Sequence, residues 1–563
     1  MKNSIVIFTL LALITFSCND DYLDEAPLDR LSPENLLINE TGFDAAIVAI
    51  YQAAREEYTV AGNVFEYMTL STDIAEWGRN DPRGNKDYDL LNSSFGAASS
   101  YWDWAYEQMI ARSNLVLETI DDPNINISEE ARANIKGQAL FFRAYTYNFL
   151  ANLYGGVPII DGRLTLPKFD FVRDSRADVL RFAANDFNQA SQLLALEVDD
   201  GRIPRAAAFH MLSEVYISLG MVTNDNSFYD KSVAAATSVI NKEGGDYELI
   251  TNRFGPASSN PGDVFSDIFA QGQINKSSGN NEVIWAYQYE NFTLGGAASD
   301  NLGNTSPRFW GPSQDAIRSP NDIANVPADS LPRGIGVNSP TNYFKYEIWN
   351  LDPNDMRNSE FNIRRQFYYN GDDPEYFGKP IEVGRKADGI LYTRRLDGTL
   401  TDIELDTLFR YYPMVRKIEG TPWAEDVASG RISKDFIKTR VAETYLLRAE
   451  AHFRNGNPGL AAEDINVIRN RANAVPITAA DVTENFILDE RARELTVEEP
   501  RLRTLIRMGR LVDRVRTYNS APSLVGEKSA GNTINDFNQF WPIPQQVIDA
   551  NTGAIFEQNP GYN

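Results

Sequence analysis

Apolar residues recur at every third or fourth position along long stretches of the chain, a spacing that predicts amphipathic helices. The helices expected from this spacing begin near Gly42 and cover about 101–120, 128–154 and 175–196. Residues 205–241 and 441–474 each predict a hairpin of two helices, because small apolar residues lie on both sides of a turn. We therefore expect a mainly α fold in which neighbouring helices pack closely.

Residues 246–430 break this pattern. They are rich in Gly, Pro, Asn and Asp and contain only short aromatic or β-like runs, at 283–289 and 364–369. Such a composition is typical of loops with short strands. Because loops on a rigid scaffold usually carry function, we expect this loop-rich insertion to be the ligand-binding part.

The chain from 41 to 563 is predicted to form one domain. Its helical frame covers about 41–245 and 431–510, and residues 511–563 are expected to be irregular. The hairpins resemble the tetratricopeptide unit, whose period is about 34 residues. The long insertion between them is not compatible with a regular solenoid.

Residues 1–17 predict a signal peptide. Lys2 precedes an apolar run of about a dozen residues, which is shorter than the ~20 needed to span a membrane. Cys18 ends this run and resembles a lipoprotein processing site, so we expect it to carry the lipid. The acidic start of the tether, 18–40, resembles the surface-export tag of Bacteroidota lipoproteins. We expect a lipid-anchored protein at the cell surface, on the outer membrane.

Composition restricts the ligands. The chain has 53 Lys and Arg against 78 Asp and Glu, a net charge of −25, and no basic footprint for nucleic acid stands out. This acidity favours a neutral ligand, although it serves solubility equally well. With a single cysteine and two histidines, a Cys/His zinc site has almost no ligands, and we predict no metal and no cofactor.

Aromatic residues in loops are the candidate binding residues, because a sugar presents an apolar face to a ring and hydroxyls to polar groups. Trp310 is the first candidate, since Pro307 and Gly311 flank it in a loop. Tyr289 and Trp349 are weaker companions.

Trp77 is the second candidate. It lies in a polar stretch with Asp73 and Arg79 within loop reach. The equally weighted alternative is that Trp77 fixes the loop onto the core, because tryptophan is mostly buried. Trp102 and Trp285 lie in periodic apolar runs and are predicted core residues.

Several segments together resemble the SusD/RagB family of surface lipoproteins, in the family's order. They are 18–24, 141–145 with 153–158, 443–451 with 466–472, 487–495 with 507–509, and 541–544 with 558–562. The resemblance implies tetratricopeptide-like helix pairs, no catalytic activity and a lid role over a SusC-type TonB-dependent transporter. It also implies that the loop carrying Asp73, Trp77 and Arg79 contributes to the ligand site.

The first hypothesis is capture of oligo- or polysaccharide, with a neutral glycan such as a glucan favoured. A peptide-binding lipoprotein of the same fold and a helical scaffold for protein contacts are alternatives. A glycoside hydrolase would need two carboxylates about 5–10 Å apart. Glu490, Glu494 and Glu498 recur at every fourth position beside arginines, which indicates an ion-paired, solvated helix face rather than a catalytic pair.

Overall fold

The first half of the chain folds into long helices. The computed structural model describes residues 36–57, 68–78, 87–293, 303–385, 391–394, 400–403, 411–519 and 529–562. The helices of the first half are α1 (Glu40–Glu56), α2 (Gly96–Asp103), α3 (Ala111–Thr119), α4 (Glu129–Ala151), α5 (Arg176–Leu193), α6 (Arg205–Thr223) and α7 (Ser227–Ile240). A π-helical turn, Trp104–Ile110, joins α2 to α3. The helices predicted from apolar spacing are confirmed.

Side-chain caps explain where three of these helices begin. The side chains of Asn39, Ser128 and Ser175 each accept a hydrogen bond from a backbone N–H in the first turn of α1, α4 and α5. Such caps satisfy N–H groups that have no partner inside a helix.

The loop-rich insertion contains short elements. Its helices are α8 (Val264–Ile268), α9 (Ser306–Trp310) and α10 (Asn342–Lys345). The strands of the molecule are β1 (Ala75–Trp77), β2 (Val283–Tyr287), β3 (Asn338–Pro340), β4 (Ile363–Arg364), β5 (Val383–Arg385), β6 (Leu391–Arg394), β7 (Leu400–Ile403), β8 (Met414–Val415) and β9 (Phe436–Arg440). All pair antiparallel: β1 with β3, β2 with β9, β4 with β8, and β5 with β6 with β7.

The two predicted β-like runs have different outcomes. The first is a strand over Val283–Tyr287. The second is a strand only at Ile363–Arg364, so the prediction for the rest of that run is wrong. There the backbone makes separate bonds, such as Tyr369 N–H to the carbonyl of Lys379 at 3.0 Å, rather than a continuous ladder.

The second half returns to helices. They are α11 (Val441–Arg454), α12 (Pro458–Arg471), α13 (Glu484–Leu495), α14 (Arg501–Arg507), α15 (Leu511–Tyr518), α16 (Ala530–Thr533) and α17 (Gln545–Ala550). The expectation that residues 511–563 are irregular is wrong for α15. This helix buries Leu511, Val512 and Val515. Its Arg514 is also buried and forms an ion pair with Asp73, which the sequence pattern does not reveal.

The long helices pack one against the next. The helices before and after the insertion belong to the same stack. α4 contacts α5, α5 contacts α6, α6 contacts α7, α7 contacts α11, and α11 contacts α12. Gly220 allows the close approach of α6 and α7, because a Cβ there would lie 2.5 Å from the ring of Tyr229. The strand β2 of the insertion pairs with β9, which follows the insertion. Trp285 of β2 is buried, as predicted, and its ring contacts Phe141 and Tyr145.

Buried ion pairs connect the insertion to the frame. On α13, Glu494 is fully buried and pairs with Arg357 of the insertion at 3.0 Å, with Arg440 of β9 at 2.5 Å and with Arg471 of α12. Glu282, next to β2, pairs with Arg440 at 2.7 Å and with Arg471 at 3.1 Å. The insertion, the β2–β9 pair and the helical frame therefore share one set of charges.

Glu490 of α13 completes this network. Its carboxylate pairs with Arg357 and Arg493 at 2.8 Å and with Arg469 at 3.0 Å. Burial alone would raise the pKa of Glu490, but the guanidinium groups outweigh burial and lower it to about 2. The predicted ion pairing of this helix is confirmed, whereas the predicted solvated face is wrong, because arginines from distant segments cover the carboxylates.

We predict that Glu494→Gln lowers the free energy of unfolding by about 3–5 kcal/mol, because it leaves buried guanidinium groups without a counter-charge. Urea unfolding monitored by circular dichroism measures this change. Lys242→Met, which removes exposed pairs with Asp246 and Glu248, is the control and leaves stability unchanged. Equal stability of the Glu494→Gln and wild-type proteins would show that the network does not hold the fold.

Candidate functional site

The backbone brings the two predicted tryptophan loops together. Trp77 on β1 pairs with Asn338 on β3, and the preceding residues 334–337 run along α9. There the N–H of Ile335 donates to the carbonyl of Arg308 at 2.8 Å. A Cβ on Gly334 would lie 2.0 Å from the oxygen of Gly311, so the segments approach too closely for a side chain.

The rings of the predicted aromatic residues are nevertheless buried. The exposed fraction is 5% for Trp77, 2% for Trp310, 4% for Tyr289 and 5% for Trp349. The prediction that they stand in solvent as stacking platforms is wrong for this structure, and the alternative that Trp77 fixes its loop onto the core is confirmed. The close packing of their loops places the rings inside, where a large apolar surface is removed from water.

Asp73 is a structural residue rather than an open ligand contact. Its carboxylate is buried and accepts hydrogen bonds from Arg501 at 2.9 and 2.6 Å and from Arg514 at 2.9 Å. Burial alone would raise the pKa of Asp73, but these two arginines lower it to about 2. The pairing attaches the β1 loop to α14 and α15. Arg79 and Cys18 lie outside the described residues.

An exposed aromatic ring lies close to these buried ones in the chain. Phe292 follows Tyr289 and β2, and 81% of its surface is exposed. Its backbone is in the left-handed region, with a φ of 60°, as are those of Ala424 (52°) and Glu425 (62°). The side chain of Asn291 accepts a hydrogen bond from the N–H of Ala424 at 3.1 Å and joins the two segments.

Holding three such residues in the left-handed conformation costs free energy. A non-glycine residue held in the left-handed region costs about 1–3 kcal/mol, and such residues concentrate at binding and catalytic sites. The surrounding contacts therefore maintain a shape that the local sequence does not prefer.

Charged side chains lie on or against the segment 424–429, which Asn291 contacts. Arg308, next to Trp310, donates to the carbonyl of Ser429 at 3.2 Å. Arg333 pairs with Asp315 at 3.1 Å and is partly exposed. The loop that follows Trp423 presents Glu425 and Asp426 to solvent. We call the set Phe292, Arg308, Arg333, Glu425 and Asp426 the Phe292 face.

The Phe292 face combines an apolar ring with hydrogen-bond donors and acceptors on segments that are bonded to one another. These are the groups that recognise a sugar, since the ring receives C–H groups while guanidinium and carboxylate groups bind hydroxyls. Its backbone is held by bonds between segments that are far apart in sequence, so the groups are positioned before a ligand arrives.

Sequence reasoning missed Phe292 and Arg308 although a signal was present. Phe292 follows Glu290 and Asn291 and precedes a Gly-Gly pair, so it meets the criterion of an aromatic residue in a polar loop. Arg308 lies in the same motif as Trp310. Tryptophan was preferred to phenylalanine as a stacking residue by residue type alone. The preferred rings, Trp77 and Trp310, are the buried ones.

Comparisons with known proteins identify relatives over the whole chain. A family model described as "SusD family" matches residues 281–562, and one described as "Starch-binding associating with outer membrane" matches residues 21–217. The chain is 24% identical to the starch-binding protein SusD of Bacteroides thetaiotaomicron over 88% of this chain and 85% of that protein. It is 25% identical to the SusD-like protein P25 of Formosa agariphila over 99% of both.

Solved structures share the fold. A laminarin-binding SusD-like protein superposes with a TM-score of 0.65 at 20% identity, covering 93% of this chain and 100% of that one. The surface glycan-binding protein A of Bacteroides thetaiotaomicron superposes with a TM-score of 0.64 at 20% identity, with the same coverage. The mainly helical fold predicted from sequence is therefore that of these proteins.

The Asp73 ion pairs predict acid sensitivity. In the folded protein Asp73 stays ionised down to about pH 2, while an unfolded aspartate takes up its proton near pH 3.8. The stabilisation is therefore complete above pH 3.8 and is lost as the pH falls towards 2, by about 2–3 kcal/mol. Asp73→Asn should be less stable at neutral pH and lose less stability in acid than the wild type.

Urea unfolding at several pH values between 5 and 2 measures this difference. Asp199→Asn, which removes an exposed carboxylate elsewhere, serves as the control for the loss of one charge. Parallel pH profiles for wild type and Asp73→Asn would contradict the assignment.

Proposed function

Because the chain belongs to the SusD family, we propose that it is a surface lipoprotein that binds a glycan and delivers it to a TonB-dependent outer-membrane transporter. The observation that carries this proposal is the Phe292 face, an exposed ring on a strained backbone whose neighbour Asn291 is bonded to a segment that bears charged groups. The relatives named for starch, laminarin and surface-glycan binding support the ligand class.

A neutral glucan fits the electrostatics. The chain carries a net charge of −25, and the Phe292 face itself includes Glu425 and Asp426. A polyanionic glycan would meet repulsion from both, whereas uncharged hydroxyls accept hydrogen bonds from arginine and donate them to carboxylates.

Binding without turnover is part of the proposal. The relatives are described as binding proteins. In addition, Glu490 and Glu494 of α13 are buried among arginines that lower their pKa values and keep them ionised. They cannot donate a proton to a glycosidic oxygen while they are so paired.

Attachment to the outer membrane completes the proposal. The family model for residues 21–217 is described as associating with the outer membrane. A lipid on Cys18 would hold the protein there, with the polar tether between the lipid and α1. The transporter then receives glycan from a carrier that is already at the membrane.

We predict that Phe292→Ala weakens binding of laminarin or starch oligosaccharides by about fivefold or more, because a stacked aromatic ring contributes about 1 kcal/mol beyond area burial. Isothermal titration calorimetry measures the affinity. Phe377→Ala is the matched control, since that ring is 67% exposed but is not part of the Phe292 face. Unchanged affinity of Phe292→Ala, or an equal loss in both variants, would remove the face as the binding site.

We also predict that Cys18→Ala abolishes fatty-acid labelling and releases the protein from the membrane fraction. Cys18 is the single cysteine of the chain, so no other thiol can take the lipid. Metabolic labelling with an alkyne fatty acid, followed by fractionation, measures both effects, and Ser17→Ala controls for a change beside the acylation site. Retention of label in Cys18→Ala would refute the anchor.

A further inference from the structure

A second cleft lies between the loops of residues 253–271 and 416–421. Its volume is about 370 Å³, within the roughly 300–1,000 Å³ typical of small-molecule sites. No residue of the Phe292 face lines it. Phe361 forms part of its wall, and the turn Asp329–Ser330 reaches its rim. We call this cavity the Phe361 cleft.

Arg416 fixes the backbone on both sides of Phe361. The backbone N–H of Arg416 donates to the carbonyl of Asn362 at 2.9 Å, and its guanidinium donates to the carbonyl of Glu360 at 3.1 Å. The backbone on both sides of Phe361 is therefore fixed, and its half-buried side chain lines the cleft. A ligand that stacks on it would not have to order the loop first.

The cations around the cleft already have counter-charges. Arg253 pairs with Asp267 at 2.7 Å, Arg416 pairs with Glu419 at 2.9 Å, and Lys417 pairs with Glu498 at 2.5 Å. Asp329 adds a negative charge at the rim. An anionic ligand would thus have to compete with existing ion pairs, whereas a neutral ligand leaves all of them intact.

Three uncharged side chains at the cleft have unused hydrogen-bonding capacity. Among the residues that the structure describes, the amide of Asn260, the hydroxyl of Thr421 and the NH₂ group of Gln271 make no hydrogen bond within the protein. Gln271 is oriented because its Oε1 accepts from the backbone N–H of Thr421 at 3.1 Å. A ring flanked by free amide and hydroxyl groups is suited to a hydroxylated ligand.

We propose that the Phe361 cleft is a second binding site for a short segment of neutral saccharide, which stacks on Phe361 and hydrogen-bonds to Asn260, Gln271 and Thr421. This inference rests on the proposed glycan-binding function and adds a second contact to it. Two weak sites on one surface bind a long polysaccharide more tightly than either site alone, because the second contact becomes intramolecular. The cleft therefore favours long chains over short oligosaccharides.

The test compares Phe361→Ala and Thr421→Val with Phe292→Ala, using laminarin, starch and their trisaccharides in calorimetry. Thr421 is exposed, so removal of its hydroxyl leaves the fold intact, and melting temperatures verify this for each variant. Both cleft variants should bind the polysaccharide about fivefold or more weakly. Phe292→Ala should retain weak trisaccharide binding that is lost when Thr421→Val is added.

The outcomes separate the two proposals. If both cleft variants bind polysaccharide as wild type does while Phe292→Ala loses binding, the cleft proposal is overturned and the proposed function stands. A cleft that binds galacturonic acid oligomers in preference to neutral ones also overturns it. If the wild-type protein binds no neutral glycan at all, the proposed function fails, and the cleft proposal fails with it.

Discussion

The structure depends on carboxylates of α13 that are buried and shared among arginines from distant segments. Glu494 alone joins Arg357 of the insertion, Arg440 of β9 and Arg471 of α12. Removing such charges from water is costly, and each pair is favourable only while all its partners are in place. The loop-rich insertion is therefore held in one position on the helices, although it has little regular secondary structure of its own.

Buried ion pairing also determines which residues remain available for a ligand. Asp73 is satisfied by Arg501 and Arg514, so the loop carrying Trp77 is fixed to the helices and its ring is enclosed. The proposed binding surface, the Phe292 face, is built by other residues. Phe292 is exposed, and its backbone has a left-handed conformation next to Asn291, which bonds to the loop of Ala424 and Glu425.

Periodicity predicted the helical frame well, because it is a local signal. The predicted helices at 128–154 and 175–196 are α4 and α5, which begin after the observed caps Ser128 and Ser175. Burial in the insertion could not be predicted in this way. Asp73 and Arg501 are 428 positions apart, and nothing near either residue indicates that they pair. The acidic repeat of α13 looked solvated for the same reason, since its partners lie on other segments.

The central claim is that this rigid surface binds a neutral glycan and does not cleave it. Its most direct test is calorimetric titration of the wild-type protein with neutral polysaccharides, acidic polysaccharides and oligopeptides, with an assay for reducing ends on the same samples. We predict saturable binding of a neutral glucan and no new reducing ends. Release of reducing ends, or binding of peptides or acidic polysaccharides alone, would contradict the account.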